Sequence, residues 1–401
     1  MENKLIVTEQ EDKVISAVFE GKEMVQVNIH HESEEGILGN IYLGKVKNIV
    51  KNINAAFVEI SGGRMCYLSL SEEQYPLFSK PKKSEKIVIG DEFLVQISKE
   101  DVKTKAPVVT TKLNLTGKYA VLIHGKATLG ISSKIGNETR KKEIKDYMKE
   151  FRQEGYGFII RTNGALVPLE RIGEEIRQLI RQYEELKEFG IHKTPFSLVY
   201  NTPPSYLCDI RDGFAESIGE IITDDADIYH KINEYMSNYQ KEDLSKLRFY
   251  EDKLLSLGNL YSVKTKLENA LRSKVWLKSG GTVIIQPTEA LTVIDVNTGK
   301  AISGKKKAVD TFFKINMEAA VEIARQIRLR NLSGIIIIDF IDMELSEYKE
   351  QLMKKLDELF KLDPIKTILV DMTALNLVEI TRKKVRKPLL EQMGINAGTV
   401  V

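Results

Sequence analysis

Two stretches of the chain carry an apolar run into an acid. One is Ala290-Leu291-Thr292-Val293-Ile294-Asp295-Val296-Asn297-Thr298-Gly299, and the other is Gly334-Ile335-Ile336-Ile337-Ile338-Asp339-Phe340-Ile341-Asp342. Asp295 and Asn297 are two residues apart, so on an extended chain they face the same way. If the two strands are neighbours, Asp295, Asn297 and Asp339 converge at one margin of one sheet. Two carboxylates about 5 Å apart repel by roughly 3 kcal/mol at an effective dielectric of about 20. Either one protonates or a cation sits between them. Carboxylate and amide oxygens with open positions for water suit Mg²⁺, a hard ion that seeks phosphate oxygens. The ordinary alternative is that strand-end Asp and Asn residues cap turns or helix starts. Two long strands ending alike, one with a polar pair at i and i+2, favour the ion.

The elements around these acids are legible. Four consecutive isoleucines read as a strand buried on both faces. Between the acidic runs, 311–330 is helical, with Phe312, Ile315, Ala319, Ile323 and Ile327 on one stripe. Strand, helix, strand is a crossover, which makes the two acidic strands parallel neighbours. Ligands bind outside the carboxyl ends of such strands, where the acids fall. A helix over 345–362 and a strand over 367–372 follow, and 379–387 reads as a basic tail.

Upstream, 1–35 reads as a meander of short alternating strands, too small to stand alone. Five runs within 39–46, 55–60, 65–68, 86–91 and 92–97, with glycine turns, suit a closed barrel of the OB type. Phe57 and Tyr67 fall on adjacent antiparallel strands, either as stacking platforms for bases or as barrel core. Residues 110–124 continue as strand, and 157–164 delivers Arg161 and Thr162 into a turn. Arg161 there is either an ordinary charge on the surface or, beside the Thr162 hydroxyl, a fork for phosphate. An amphipathic helix spans 169–189. Pro203-Pro204 marks a boundary, followed by a helix from 206 through Ile218 and a strand at 220–223.

The bulk numbers add little to function. The 401 residues are 42% hydrophobic and 29% charged, with a formal net charge of +2, so any basic surface must be local. Only Cys66 and Cys208 occur, which argues against a disulfide framework or a Cys-based zinc site and suits a reducing cytoplasm. No apolar run has the length of a membrane span, and Met1-Glu2-Asn3-Lys4 opens no signal peptide. A cytoplasmic α/β protein is expected.

A barrel, a phosphate fork and a carboxylate metal site together point to an enzyme acting on a single-stranded polynucleotide. Here the text resembles the bacterial ribonuclease E/G family. The resemblance is carried by 288–300, including Thr288-Glu289-Ala290 and Asp295-Val296-Asn297-Thr298-Gly299, and by Glu322-Ile323-Ala324-Arg325-Gln326-Ile327-Arg328-Leu329-Arg330-Asn331. It continues through 334–343 and Leu377-Val378-Glu379-Ile380-Thr381-Arg382. Weaker matches cover 39–67, 117–122 and 160–164.

The resemblance implies an α/β (α+β composite) fold in five parts. These are an RNase-H-like subdomain at 1–35 and 205–277, an OB barrel at 36–115, a 5′-sensor segment at 116–204, and a DNase-I-like mixed-sheet catalytic subdomain at 278–401. It implies Mg²⁺, with Mn²⁺ as a substitute, on Asp295 and Asp339, with Asn297 orienting a carboxylate or the scissile phosphate and Asp342 in support. Phe57, Tyr67 and Lys105 would hold RNA. Gly117, Val121, Arg161 and Thr162 would grip a 5′-monophosphate together with Lys366. The family has an Arg at that last position, and Lys offers a point charge in place of a fork. Thr373-Ala374-Leu375-Asn376 replaces the usual basic residue and glycine. No Cys-Pro-x-Cys occurs, so no zinc and no zinc-linked dimer are expected, and oligomerisation through another surface stays open.

The implied reaction is hydrolysis of single-stranded RNA, in which Mg²⁺ polarises a phosphoryl oxygen and activates water to leave 5′-phosphate and 3′-hydroxyl ends. None of the five histidines lies in the matching motifs. The rival reading is an RNA-binding or ribosome-associated factor that keeps the fold with weak turnover, and a metal-dependent DNA nuclease is the third.

Overall fold

The computed structural model describes residues 3–31, 36–84, 86–100, 106–212, 218–299 and 308–395. The chain divides into two compact units, one of Met1–Glu34 with Ser217–Val401 and one of Glu35–Glu216. Both are mixed α/β.

In the second unit the strands Ile41–Val50, Ala55–Glu59, Met65–Ser69, Val108–Thr110 and Glu92–Lys99 pair in a ring, the last returning to the first. Alternate residues, among them Val58, Cys66, Leu68, Phe93 and Val95, fill its interior. The closed five-stranded barrel is the one expected, with one strand exchanged. Residues 86–91 form a turn. The Asp91 carboxylate accepts the Val88 N–H at 2.7 Å and Gly90 takes φ +91°, which leaves Val88 and Ile89 exposed. Val108–Thr110 supplies the fifth strand instead.

Beyond the barrel, Leu129–Ile131, Gly155–Ile160, Ala120–Gly125 and Asn114–Thr116 form a sheet. It packs on the helix Leu169–Glu188 through Ile172, Ile176, Leu179, Tyr183 and Leu186. Turns break 110–124 into separate strands, so it is not the continuous strand anticipated.

The first unit begins with the meander Asn3–Gln10, Lys13–Glu20 and Glu23–His31. It gains the area it lacks from Ile218–Thr223, parallel to its first strand, and from Leu247–Phe249 beyond. The helix Ser205–Asp212 therefore does not reach Ile218, which opens a strand.

A six-stranded sheet follows in the spatial order Lys274–Trp276, Thr282–Pro287, Leu291–Asn297, Gly334–Asp339, Leu377–Arg382, Thr367–Met372. Leu291–Asn297 and Gly334–Asp339 are parallel, as the crossover through the helix Ala308–Leu329 requires. That helix and Ser346–Lys361 cover one face. Ile315, Ala319, Ile323, Leu352 and Leu356 pack on Val283, Ile285, Ile294, Ile336, Ile338 and Ile380. Burying side chains of this size stabilises by roughly 1.5–3 kcal/mol each.

Two further expectations need correction. The isoleucine run is buried on one face only: Ile336 and Ile338 are in the core, whereas Ile335 is 49% exposed. The sheet is antiparallel except at this strand's pairing with Leu291–Asn297, and both helices lie on the same side, so the second face is not packed by them. The basic tail also begins later than it reads, because Leu377–Arg382 is a core strand.

Candidate functional site

The open face of this sheet carries the acids. Asp295 and Asp339 are direct partners in the parallel ladder, with backbones about 4.8 Å apart. The Asn297 side-chain amide donates to Asp295 Oδ2 at 2.6 Å, which orients that carboxylate. Burial, followed by the negative charges of Asp295 and Asp342, raises the Asp339 carboxyl above its ordinary value. Among the described residues, the side-chain partners found for these acids are the amides Asn297 and Asn376, neither of them cationic. No group of three or more His, Cys, Asp and Glu side chains comes together as a metal cage among the described residues. Two carboxylates and a neutral amide, all hard oxygen donors, with no cation beside the acids among the described residues, fit a cation that keeps much of its water shell.

Several elements hold the acids in place. Asn316, fully buried on the helix Ala308–Leu329, donates to the Ile341 carbonyl at 2.8 Å and accepts the Ile341 N–H at 3.1 Å. This clamp fixes the backbone between Asp339 and Asp342. Sequence reasoning passed over Asn316, although a polar residue inside an apolar helical stripe is the signal that could have found it. Glu318 on the same helix accepts the N–H groups of Lys278 at 2.6 Å and Ser279 at 3.2 Å. At Gly299, φ +57°, a Cβ would lie 2.2 Å from the Gly280 carbonyl oxygen, so the exit of the first acidic strand tolerates only glycine. Asn376 takes φ +63° in the turn after Thr367–Met372, where a short polar side chain can replace glycine. Its amide reaches Asp342 Oδ1 at 3.4 Å, and Lys349 holds its carbonyl at 2.7 Å.

In the other unit, the strand Gly155–Ile160 delivers Arg161 and Thr162 into a short helical turn. Arg161 Nη1 donates to the Gly117 carbonyl and to Asp212 Oδ1, both at 2.7 Å. Arg211 pairs with the same carboxylate at 2.8 Å. Burial pushes the Asp212 carboxyl up, but the two arginines outweigh it and hold it below the usual range. The Thr162 hydroxyl meets that of Ser132 at 3.0 Å. Glu175 accepts the N–H groups of Lys118, Tyr119 and Ala120 at 2.7–2.8 Å. A Cβ on Gly117 would come within 2.4 Å of that carboxylate, so a larger residue there would have to push Glu175 off its three N–H partners. Val121 pairs with Ile159 in the neighbouring strand. Gly117, Arg161 and Asp212 are thus brought together. Lys366 lies in the first unit, on an exposed turn whose carbonyl accepts the Lys383 N–H at 3.0 Å.

Phe57 and Tyr67 are register partners on adjacent barrel strands, with ring centroids 6.2 Å apart and edge to face. Both are half-buried on the outer side, since the residues flanking them, Ala56, Val58, Cys66 and Leu68, fill the interior. The barrel-core alternative therefore does not hold. Lys105 lies outside the described residues.

Comparison with known proteins follows the same lines. Residues 114–385 match the model of the Ribonuclease E/G family. Ribonuclease G of Escherichia coli (strain K12) is 33% identical over 393 residues, spanning 96% of this chain and 80% of that protein. Ribonuclease G of Haemophilus influenzae is 31% identical over 96% of this chain and 79% of its own length. Ribonuclease E of Nostoc sp. is 30% identical, over 98% of this chain and 57% of that longer protein. No helix among the described residues is long and apolar enough to cross a membrane.

Proposed function

The chain belongs to the Ribonuclease E/G family, and from that premise we propose that it is a Mg²⁺-dependent endoribonuclease acting on single-stranded RNA. Cleavage would leave 5′-phosphate and 3′-hydroxyl ends. The observation that carries this reading is the pairing of Asp295 with Asp339, two acids in register on an open sheet face with no cation among their partners within the described residues. Asp295 and Asp339 would hold the ion, with Mn²⁺ as a substitute. When bound, the ion would polarise a phosphoryl oxygen and lower the pKa of a water. Asn297 fixes the rotamer of Asp295, and the Asn316 clamp fixes the turn that carries Asp342. Phe57 and Tyr67 offer ring surface to bases. In this reading the six-stranded sheet is the DNase-I-like subdomain and the meander sheet the RNase-H-like one.

Incubation of the purified chain with a labelled single-stranded RNA tests the proposal. Internal cleavage with Mg²⁺, its loss in EDTA and its recovery on adding the ion are expected. Binding without cleavage would mark a factor that keeps the fold for RNA recognition, and equal cutting of DNA would overturn the substrate class.

The sensor reading rests on Arg161, whose guanidinium is shared with Asp212. Asp212→Asn removes an anion that competes with a 5′-phosphate for the same fork. We expect it to raise the ratio of cleavage rates on 5′-monophosphorylated over 5′-hydroxyl RNA by about threefold or more. Lys366→Arg, which replaces a point charge with a planar fork, should raise the same ratio. If both ratios match that of the parent chain, neither residue takes part in 5′-end recognition.

A further inference from the structure

The open face of the six-stranded sheet continues past the acids to its edge strand, Lys274–Trp276. Lys274 is opposite Ile284, which is opposite Asp295; Trp276 is opposite Thr282, which is opposite Asn297. Directly paired residues share a face, so Lys274 and Trp276 stand on the acids' side of the sheet, two strands or about 10 Å from the strand of Asp295 and three or about 14 Å from that of Asp339. Val275 between them points the other way and packs on the helix-covered core. Trp276 is the only tryptophan of the chain, it is 66% exposed, and the Lys274 ammonium lies 4.5 Å from its ring centroid.

The charge along this face is uneven. Without a bound cation the acid pair repels a polyanion, so affinity for the rest of the strand has to come from other groups nearby. In the row Lys274, Ile284, Asp295, Asp339, Leu377, the cation is Lys274. An indole presents a π-face to any base, and an ammonium beside it answers a phosphate.

We propose that Trp276 and Lys274 form a nucleotide subsite for single-stranded RNA, with the indole stacking on a base and the ammonium meeting an adjacent phosphate. The inference rests on the RNA-cleaving reading of the same sheet face and adds to it a residue pair that sets how RNA lies across the acids. Because every base has a π-face, the subsite contributes affinity with little sequence preference.

The single tryptophan makes the test direct. In EDTA, a short unlabelled single-stranded RNA added to the full chain should quench tryptophan emission saturably. The midpoint should match that seen by anisotropy with a labelled RNA. Trp276→Ala should weaken binding by about tenfold or more, the scale of one base–aromatic stack, and Trp276→Phe should largely restore it. Lys274→Ala should weaken binding and lower the salt dependence by about one phosphate contact. RNA bound with unchanged emission, or bound equally well by Trp276→Ala, overturns the subsite. Quenching without Mg²⁺-dependent cleavage leaves the subsite standing and overturns the nuclease reading instead. Failure to bind RNA at all overturns both.

Discussion

Asp295→Asn is expected to lower the rate of RNA cleavage by on the order of a thousandfold, the scale of removing a group that acts on charge in the transition state. RNA affinity should stay within about threefold of the parent, because the lost interaction belongs to the reacting phosphate and not to the bound strand. The substitution keeps the side-chain shape and leaves an oxygen for the Asn297 amide, whose 2.6 Å bond now holds the carboxylate. It also removes one of the two charges that raise the Asp339 carboxyl. Thermal stability in the absence of divalent ions should therefore hold or rise slightly, which separates a lost ion site from a damaged fold. Rapid-quench cleavage rates, filter binding and a melting curve on the same preparation make the measurement. An unchanged cleavage rate would remove Asp295 from the active site. A parallel loss of stability would instead make it a structural acid.

Arg382→Met should destabilise the first unit by about 3–5 kcal/mol, the range for breaking one partner out of a buried ion pair. Arg382 and Asp363 are each only 2% exposed at the side chain, with Nε to Oδ2 at 2.7 Å. The guanidinium also donates to Asn331 Oδ1 at 2.9 Å and to the Leu332 carbonyl at 3.0 Å. Without it, the Asp363 carboxylate keeps the Thr367 hydroxyl and the Ile365 N–H but loses its counter-charge in a dry site. The consequence reaches the candidate site, because the strand ending in Arg382 begins at Leu377, the ladder partner of Asp339. Urea denaturation gives the loss directly. Adding Asp363→Asn to Arg382→Met should recover part of it, since the stranded charge then goes as well. A single-variant loss below about 1 kcal/mol would mean that the desolvation cost of the pair cancels its attraction.

The local sequence determined a good deal. The spacing of Asp295 and Asn297 and the crossover between the acidic runs placed three polar groups at one sheet margin. Helical periodicity gave 345–362 to within a residue at each end and 311–330 to within three, because a stripe of apolar side chains has one period that buries it. The glycine-punctuated strands gave a closed barrel, and the family resemblance extended along most of the chain.

Long-range packing decided the rest. Four isoleucines look the same whether one or both faces of their strand are covered, and only the placement of both helices on one side shows that Ile335 and Asp339 share an open face. Phe57 and Tyr67 could be assigned to the outside of the barrel only once Ala56, Val58, Cys66 and Leu68 were seen to fill it. Residues 86–91 carry a strand-like pattern, yet an Asp91 side chain that hydrogen-bonds its own loop turns them. Arg382 sits in a basic stretch but ends in the core opposite Asp363, nineteen positions earlier. Asn316, Asp212 and Trp276 owe their importance to partners distant in the chain, across a helix–loop contact, a shared guanidinium and two strand pairings. Local periodicity reports the burial that a segment seeks for itself, whereas such partnerships exist only when separate segments meet, and no window along the sequence contains them.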